Sequence, residues 1–288
     1  MDAIWLMRAG WWKTLARLLS VAWLLIGLSS CGGSGGSNPN DKVPAPLDIV
    51  TALGQVPGVI SWREASSPVA NARFFVIGFS QPADHHNPQG TRFEQTATLL
   101  LRDKNAPVVL AFTGYGISRV NPWEQEPTRL LRANQLMVEH RFFNTSTPNP
   151  VNWNYLDIWQ SANDAHRLVQ AFKPLLPGAW VNTGGSKGGM TAIFHRRFFP
   201  GDVNATVAYV APIMQANDDA RFATFIETRG TLQQRNAIRA WQQAMLDRRE
   251  EMKALLQAQA SARGQTFRYL GLDKTFEFAV IEAAFTLW

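Results

Sequence analysis

Apolar residues between about residues 70 and 214 fall into short continuous runs separated by polar, glycine-containing turns. The runs at residues 72–81 (ARFFVIGFSQ) and 95–103 (QTATLLLRD) are rich in β-branched and aromatic residues and flank the turn PADHHNPQG. They therefore predict an antiparallel hairpin. Residues 106–116 (APVVLAFTGYG) form an uninterrupted apolar run that ends in glycines, which is typical of a strand buried on both faces.

The segments that follow alternate between strand-like runs and helical periods. This order predicts an α/β fold, in which a parallel sheet carries helices on both faces. The predicted strands are residues 134–143, 178–184 and 205–213, and the predicted helices are residues 155–176 and 187–199.

Composition changes at about Gln215, where the chain becomes rich in Gln, Ala, Arg and Leu. Apolar residues there are spaced as an amphipathic stripe, which we interpret as core packing rather than as a ligand surface. Because this region follows a sheet strand, we predict a helical cap over residues 215–288, above a core of residues 45–214. The stripe consists of Ile238, Trp241, Met245, Met252 and Leu255.

The first 31 residues have the pattern of a bacterial lipoprotein signal peptide. Basic residues precede the apolar run Leu18 to Leu28, which has the length of a signal-peptide core and is too short to span a bilayer alone. The run ends in Leu28-Ser29-Ser30-Cys31, which looks like a lipobox and contains the chain's single cysteine. We expect lipidation of Cys31, a Gly/Ser-rich tether over residues 32–44, and anchoring in the bacterial cell envelope, periplasmic or at the cell surface. The alternative is an ordinary secretory peptide with an incidental cysteine; a lone thiol excludes internal disulfides either way.

Composition and charge narrow the classes of protein and partner. The chain has 288 residues, of which 46% are apolar and 17% charged, which indicates a packed globular protein. The net charge of +6 is modest, and no basic block with interleaved aromatic residues is present, so nucleic acid is not an expected partner. His85 and His86 could bind a metal ion, but the sequence offers no third metal ligand nearby. We therefore interpret them as part of a solvated turn. We expect neither a metal nor a cofactor.

The stretch Gly184-Gly185-Ser186-Lys187-Gly188 fits G-x-S-x-G, the nucleophile elbow of α/β-hydrolases. It lies between a predicted strand and a predicted helix, where such an elbow belongs. Its glycines let strand and helix approach a strained serine, and the helix N-terminus places N–H groups beside the serine oxygen. A phosphate-binding loop is the alternative, but the G-x-x-x-x-G-K-[ST] spacing is absent.

A second oxyanion donor in such enzymes comes from the loop after the third predicted strand, here residues 113–116. We predict an oxyanion hole formed by the backbone N–H groups of Lys187 and Tyr115; the alternative is a glycine turn with no catalytic role. The Lys187 side chain is a candidate base for Ser186. Adjacent side chains diverge, so we interpret it as a solvated lysine.

Three ordered blocks, MVEHRFF, WNYLDIWQSANDAHRLVQAFKP and GGSKGGMTAIFHRRFFPGDVNATVAYVAP, resemble the secreted proline-specific tripeptidyl aminopeptidase family of serine peptidases, which is related to the prolyl carboxypeptidases. The match runs from about residue 45 to the last residue. The resemblance implies an enzyme whose fold is an α/β-hydrolase sheet with an inserted helical cap. It also implies that this enzyme removes short peptides, often ending in proline, from free N-termini. It implies Ser186 as the nucleophile and Glu139-His140-Arg141 as a block beside the active site. Glu139 is then a candidate for binding the substrate ammonium, with Arg141 beside it, and a structural Glu139–Arg141 salt bridge is the alternative.

The remaining triad members have no candidates in the chain. Hydrolases of this fold present Ser, Asp and His in that order, yet four of the five histidines precede Ser186. His195 follows it by nine residues on the same predicted helix, about 13 Å along the axis and out of reach, and we expect His166 to pack against or cap a neighbour. The later aspartates Asp218, Asp219, Asp247 and Asp273 fall in the predicted cap.

We therefore expect the triad Asp and His, with the C-terminal strands of the hydrolase domain, to be absent from this chain. A fragment of a longer enzyme and a truncated gene product both fit that expectation. In either case the chain alone is expected to be a poor hydrolase and unstable in isolation.

Three functions fit these residues. The first is a lipid-anchored serine aminopeptidase that releases tripeptides from free N-termini, with a preference for proline. The second is an esterase or lipase, because fold and elbow alone do not determine the substrate. The third is a non-catalytic surface lipoprotein, which the missing Asp and His favour and the intact elbow disfavours.

Overall fold

The computed structural model describes residues 48–67 and 69–286. The predicted signal peptide, Cys31 and the tether lie outside these residues. Within the described part, no helix is long and apolar enough to cross a bilayer. The same residues contain no group of three or more His, Cys, Asp or Glu side chains arranged to hold a metal ion.

A seven-stranded mixed sheet forms the centre of the described part. Its strand order is β1-β2-β3-β5-β4-β6-β7; β1, β2, β3 and β5 pair antiparallel, and β5, β4, β6 and β7 pair parallel. The strands are β1 (Val59–Ala65), β2 (Arg73–Pro82), β3 (Arg92–Leu101), β4 (Val108–Phe112), β5 (Asn134–Val138), β6 (Trp180–Gly185) and β7 (Ala205–Tyr209).

Helices connect the parallel strands and then follow the last of them. The helices are α1 (Ile49–Gln55), α2 (Glu126–Leu130), α3 (Ile158–Phe172), α4 (Lys187–Phe198), α5 (Ala220–Thr228), α6 (Leu232–Asp247), α7 (Arg249–Ala262) and α8 (Gly271–Thr286). The antiparallel β3, the insertion of β4 between β5 and β6, and the serine turn between β6 and α4 together define an α/β-hydrolase fold. The predicted α/β-hydrolase fold is thereby confirmed, whereas the absence of the C-terminal strands stays a prediction.

The sheet contains every predicted strand, one of them shortened, and one strand that was not predicted. The hairpin of β2 and β3 forms in one continuous register, in which Ile77 lies opposite Ala97. The strand predicted over residues 134–143 ends at Val138, and the chain turns at residues 141–142. An N-terminal helix and strand, α1 and β1, were not predicted. The side chains of β1 are mostly exposed, so the strand lacks the alternating apolar pattern that marks a half-buried strand.

The core lies between the sheet and α3. The continuous apolar run of β4 is buried throughout, and α3 turns Leu168, Val169 and Phe172 toward the sheet. Complete burial of a side chain of this size stabilises the fold by about 1.5–3 kcal/mol. This packing holds α3 against the sheet and so positions the residues at its N-terminal end.

The region after β7 is helical, but its apolar stripe is not core. Arg248 separates α6 from α7, so the predicted stripe runs over two helices. Trp241 and Leu255 are 44% and 59% exposed, and the interpretation as core packing is therefore wrong. The buried residues of these helices are Ala260 of α7 and Phe276 and Val280 of α8. The role of the helices as an active-site cap stays a prediction.

Candidate active site

Ser186 lies in the turn between β6 and α4, at the carboxyl edge of the parallel strands. Its φ of 53° and ψ of −123° are sparsely populated for a residue with a side chain, and such a conformation costs on the order of 1–3 kcal/mol. The Ser186 N–H donates to the Tyr209 carbonyl at the end of β7 at 3.0 Å. The residue is exposed. The turn therefore presents Ser186 at the edge of the sheet, as a nucleophile elbow does.

Glycines beside Ser186 allow β4, β6 and α4 to approach each other closely. A Cβ atom on Gly184 or Gly188 would overlap backbone atoms, including the Phe112 carbonyl oxygen in both cases. A Cβ atom on Gly185 would meet nothing within 4 Å. The motif thus requires glycine at Gly184 and Gly188 for steric reasons, whereas Gly185 has free space.

The loop of residues 113–116 follows β4 and lies against the elbow; we call it the oxyanion loop. Gly114 has a φ of +75°, and a Cβ atom there would lie 2.8 Å from the Gly188 nitrogen. The Tyr115 N–H, one of the two predicted oxyanion donors, donates to Thr113 Oγ1 at 2.9 Å. Because the Thr113 hydroxyl folds back over its own loop, this N–H is not free in the structure, and it must change partner to bind an oxyanion. The Lys187 N–H opens α4 and has no intrahelical acceptor; its role as a donor stays a prediction.

The Lys187 side chain is half-buried, so its interpretation as a solvated lysine is wrong. Its Nζ donates to the Gly114 carbonyl at 2.6 Å and lies 5.4 Å from the ring centroid of Tyr115 and 5.6 Å from that of Phe143. A carbonyl and two aromatic rings thus replace part of the water around the ammonium. Burial lowers the pKa of Lys187 to about 8.

A pocket of ≈310 Å³ opens beside the elbow. Lys187 and Met190 form one wall along α4, and the Met190 N–H bonds to the Ser186 carbonyl at 3.0 Å. His140 lies in another wall, where burial, together with the positive charge of Lys187, lowers the pKa of His140 to about 4. The imidazole is therefore neutral at pH 7, and the pocket is mainly apolar. Its other lining residues are Phe143, Leu156, Asp157, Ile158, Ser161, Ala162, Thr191 and Phe194.

Glu139 is fully buried and does not offer its carboxylate to a substrate ammonium, contrary to the expectation. Its Oε1 accepts from Asn144 Nδ2 at 2.7 Å and from the Ile117 N–H at 3.2 Å. Its Oε2 accepts from the Ser146 hydroxyl at 2.6 Å, and the Arg119 guanidinium lies 3.9 Å away. These donors compensate the burial of the charge. The carboxylate thus restrains Ile117, the residue that directly follows the oxyanion loop.

Arg141 is also buried, and it pairs with Asp164 of α3 rather than with Glu139. Its Nε and Nη2 donate to the two carboxylate oxygens of Asp164, each at 2.7 Å, while Nη1 donates to backbone carbonyls. The predicted Glu139–Arg141 salt bridge is therefore wrong, and so is the placement of Arg141 as a substrate ligand, because its guanidinium is enclosed by protein partners.

The Asp164 carboxylate also accounts for the burial of His85. The His85 Nε2 lies 2.7 Å from Asp164 Oδ1, and its side chain is 4% exposed, so the predicted solvated turn is wrong at this residue. Burial alone raises the pKa of Asp164, but Arg141 and His85 outweigh that effect and hold the pKa below its usual range. His86 lies outside this network and stacks on Trp159.

The two remaining histidines meet at one carboxylate away from the serine. His166 Nδ1 and His195 Nε2 lie 2.8 and 2.9 Å from Asp202 Oδ2. His166 also stacks on Phe199, which confirms the prediction that it packs against a neighbour. Among the described residues, no hydrogen bond joins a histidine to Ser186. The absence of the triad Asp and His from this chain stays a prediction.

Asp164 is the residue of this region that sequence reasoning missed. It lies four residues before Leu168 and eight before Phe172, so it occupies the face of α3 that is buried. A carboxylate on a buried helix face indicates a buried cationic partner, and that signal was available in the sequence. Thr113 and Phe143, which contact Tyr115, carried no comparable signal.

The chain is similar to a peptidase family, to individual peptidases and to an esterase of known structure. Residues 42–288 match the model of the PS-10 peptidase S37 family. A prolyl tri/tetrapeptidyl aminopeptidase from Streptomyces mobaraensis is 39% identical over 278 residues, which cover 96% of this chain and 57% of that protein. A lysosomal Pro-X carboxypeptidase from Homo sapiens is 28% identical over 174 residues, or 53% of this chain and 35% of that protein. The crystal structure of acetyl xylan esterase 1 from Thermoanaerobacterium sp. JW/SL YS485 aligns with a TM-score of 0.39 and 14% identity, over 67% of this chain and 66% of that one.

The family model and the Streptomyces relative each match most of the chain. The chain in turn spans 57% of the length of that relative. The resemblance inferred from the sequence blocks is thereby confirmed, and the chain belongs to the PS-10 peptidase S37 family.

Proposed function

We propose that this chain carries the nucleophile of a serine aminopeptidase that releases tripeptides, with a preference for proline, from free N-termini. Ser186 attacks the peptide carbonyl, an acyl-enzyme forms as the amine leaves, and water hydrolyses the ester. Neither a metal nor a cofactor takes part. None of the five histidines bonds to Ser186 in the described residues, so we expect slow turnover by this chain alone.

The backbone of Ser186 is the observation that carries the proposal. A serine with a φ of 53° lies between a parallel strand and the N-terminus of α4, where the helix dipole favours negative charge on a tetrahedral intermediate. We expect the Lys187 N–H to donate to that charge. The 39% identity to a prolyl tri/tetrapeptidyl aminopeptidase supports the peptide substrate class.

The pocket beside the elbow supports an uncharged substrate residue near the scissile bond. Its walls are mainly apolar, and the pKa of His140, lowered to about 4 by burial, leaves that imidazole without charge at neutral pH. The two charged residues of the lining already have partners: Lys187 Nζ donates to the Gly114 carbonyl, and Asp157 Oδ1 accepts from the Gln160 N–H. Because a charged substrate side chain would lose hydration against the remaining apolar walls, an apolar ring such as that of proline is favoured.

The experiment compares three phosphonate probes on this protein. The first is a tripeptidyl phosphonate with a proline analogue at its reactive end and a free N-terminus, the second is its N-acetylated form, and the third is a simple alkyl fluorophosphonate. Phosphonylation needs no proton transfer to an amine leaving group, so it depends less on a complete triad than amide hydrolysis does. We expect the free-amine peptide to modify Ser186 at least about tenfold faster than the acetylated peptide, a difference of about 1.4 kcal/mol in transition-state binding.

Ser186→Ala must abolish all three modifications, whereas Ser261→Ala, at an exposed position on α7, must leave them unchanged. Modification by the alkyl probe alone would favour the esterase or lipase. No modification of folded protein by any probe would favour the non-catalytic lipoprotein.

We also propose that the protein is a lipoprotein of the bacterial cell envelope, attached to the membrane through Cys31. Support comes from the basic segment, the apolar run and the Leu-Ser-Ser-Cys sequence. Several acyl chains on one cysteine suffice for stable anchoring. Detergent-phase partitioning of the protein expressed in a bacterium tests this: the parent chain is expected in the detergent phase and Cys31→Ser in the aqueous phase. Equal partitioning of the two would contradict lipidation.

A further inference from the structure

Lys187 follows the nucleophile directly, yet its side chain reaches back to a different segment. Its Nζ donates to the Gly114 carbonyl at 2.6 Å, so the ammonium bridges the first residue of α4 and the oxyanion loop. The bridge is short because the two backbones touch: a Cβ atom on Gly114 would lie 2.8 Å from the Lys187 carbonyl carbon.

Two aromatic rings lie beside the same ammonium. The rings of Tyr115 and Phe143 meet edge to face, with centroids 5.5 Å apart, and Nζ lies 5.4 and 5.6 Å from their centroids. Charge–ring attraction strengthens when the cation is desolvated, and Lys187 is half-buried. One cation therefore contacts a loop carbonyl, a loop side chain and a ring from the segment that follows β5.

The rest of the loop is held by bonds that do not involve the elbow. The Tyr115 carbonyl accepts from the His140 N–H at 3.0 Å, and the Ile117 N–H donates to Glu139 Oε1 at 3.2 Å. Both contacts attach the loop to the chain after β5. The Lys187–Gly114 bond is thus a charged contact that attaches the loop to the helix that follows Ser186.

We propose that Lys187 is a positioning residue, whose ammonium holds the Gly114–Tyr115 turn against the nucleophile elbow and keeps the oxyanion loop beside Ser186. The proposal rests on the proposed function for its catalytic consequence, but the contact itself is independent of that function. A charge-assisted hydrogen bond is stronger than a neutral one, so a cation at this position restrains the loop more than an apolar side chain of equal length.

The test uses Lys187→Met, which keeps an unbranched side chain one atom shorter and removes the charge, and Lys187→Arg, which keeps the charge and N–H donors. The matched control is Lys173→Met, because Lys173 also donates to a loop carbonyl, that of Gly201 at 3.2 Å, away from the site. Hydrogen exchange of the peptide covering residues 112–117 is the first readout. We expect exchange at least about threefold faster in Lys187→Met, and parental exchange in Lys187→Arg and Lys173→Met.

The rate of Ser186 phosphonylation is the second readout, with the melting temperature as a control for global unfolding. We expect at least about a tenfold loss in Lys187→Met and recovery to within about threefold in Lys187→Arg. Parental exchange in Lys187→Met, or equally fast exchange in Lys187→Met and Lys187→Arg, would overturn the proposal. If exchange follows the expected pattern but no variant, the parent included, is phosphonylated at Ser186, the restraint holds and the proposed function fails.

Discussion

Arg141 and Asp164 form a two-point ion pair in which both side chains are buried and both N–O distances are 2.7 Å. The pair joins the turn after β5 to α3, and thereby sets the position of His140 and Phe143 on either side of Arg141. Two residues that line the pocket thus depend on a guanidinium that has no contact with it. Sequence position beside a site is therefore a poor guide to substrate contact.

Arg141→Met is expected to lower the free energy of unfolding by about 3–5 kcal/mol, because it leaves the Asp164 charge buried without its main partner. Arg73 provides the matched control: it also contacts both oxygens of a carboxylate, that of Glu64, at 2.8 Å. Both of those side chains are about 40% exposed or more, so Arg73→Met is expected to cost no more than about 1 kcal/mol. Urea unfolding of the two variants measures the difference, and equal losses would contradict the role of the buried pair.

Gly188→Ala is expected to disrupt the elbow, since its Cβ would overlap the Phe112 carbonyl oxygen and backbone cannot move as a side chain end can. Overpacking of this kind typically costs about 1–3 kcal/mol. Gly185→Ala, one residue before Ser186, adds the same atom in open space and is expected to change stability by less than about 0.5 kcal/mol. Thermal unfolding of both variants checks this; a tolerated Gly188→Ala would show that β4 and α4 do not pack as described.

His140 is expected to make stability depend on pH between about 4 and 6.5. Burial, with the charge of Lys187, lowers the pKa of His140 from 6.5 to about 4. Within this window the unfolded chain binds a proton that the folded chain does not, so the free energy of unfolding rises with pH. The stability contributed by the neutral ring is lost as pH falls from about 6.5 to about 4, and amounts to about 3 kcal/mol at most.

The readout for His140 is the slope of the melting temperature against pH. His140→Gln removes the titrating group and is expected to flatten the slope between pH 4 and 6.5 relative to the parent. His86→Gln alters an exposed histidine and serves as the control. Identical slopes for the parent and His140→Gln would contradict the burial of this ring.

The parallel strands and the elbow were predictable because each follows from local pattern. The uninterrupted apolar run of β4 marks a strand buried on both faces. Ser186 lies between a segment with the sequence pattern of a strand and one with the sequence pattern of a helix. The roles of Glu139, Arg141 and Lys187 were not predictable in this way. Each depends on partners far away in the sequence, such as Asp164 for Arg141, or on a side chain that bends back over its own turn.

The exposed apolar residues of α6 and α7 also show that a local pattern does not predict tertiary contacts. An amphipathic period indicates that one face avoids water, but it does not say what covers that face. Trp241 and Leu255 follow the period and remain exposed, although α6 and α7 both contact α8. Periodicity predicted the helices and not their partners.

The most direct test of the central claim is to locate a fluorophosphonate adduct by mass spectrometry in the folded protein. The account predicts an adduct on Ser186, none on Ser186→Ala, and parental modification of Ser261→Ala. Slow but specific modification suffices, because a serine peptidase from which triad members are removed still retains about 10³- to 10⁴-fold catalysis over water through its oxyanion hole and substrate binding. Folded protein that carries no adduct on Ser186, or an adduct that persists in Ser186→Ala, would contradict the assignment of Ser186 as the nucleophile.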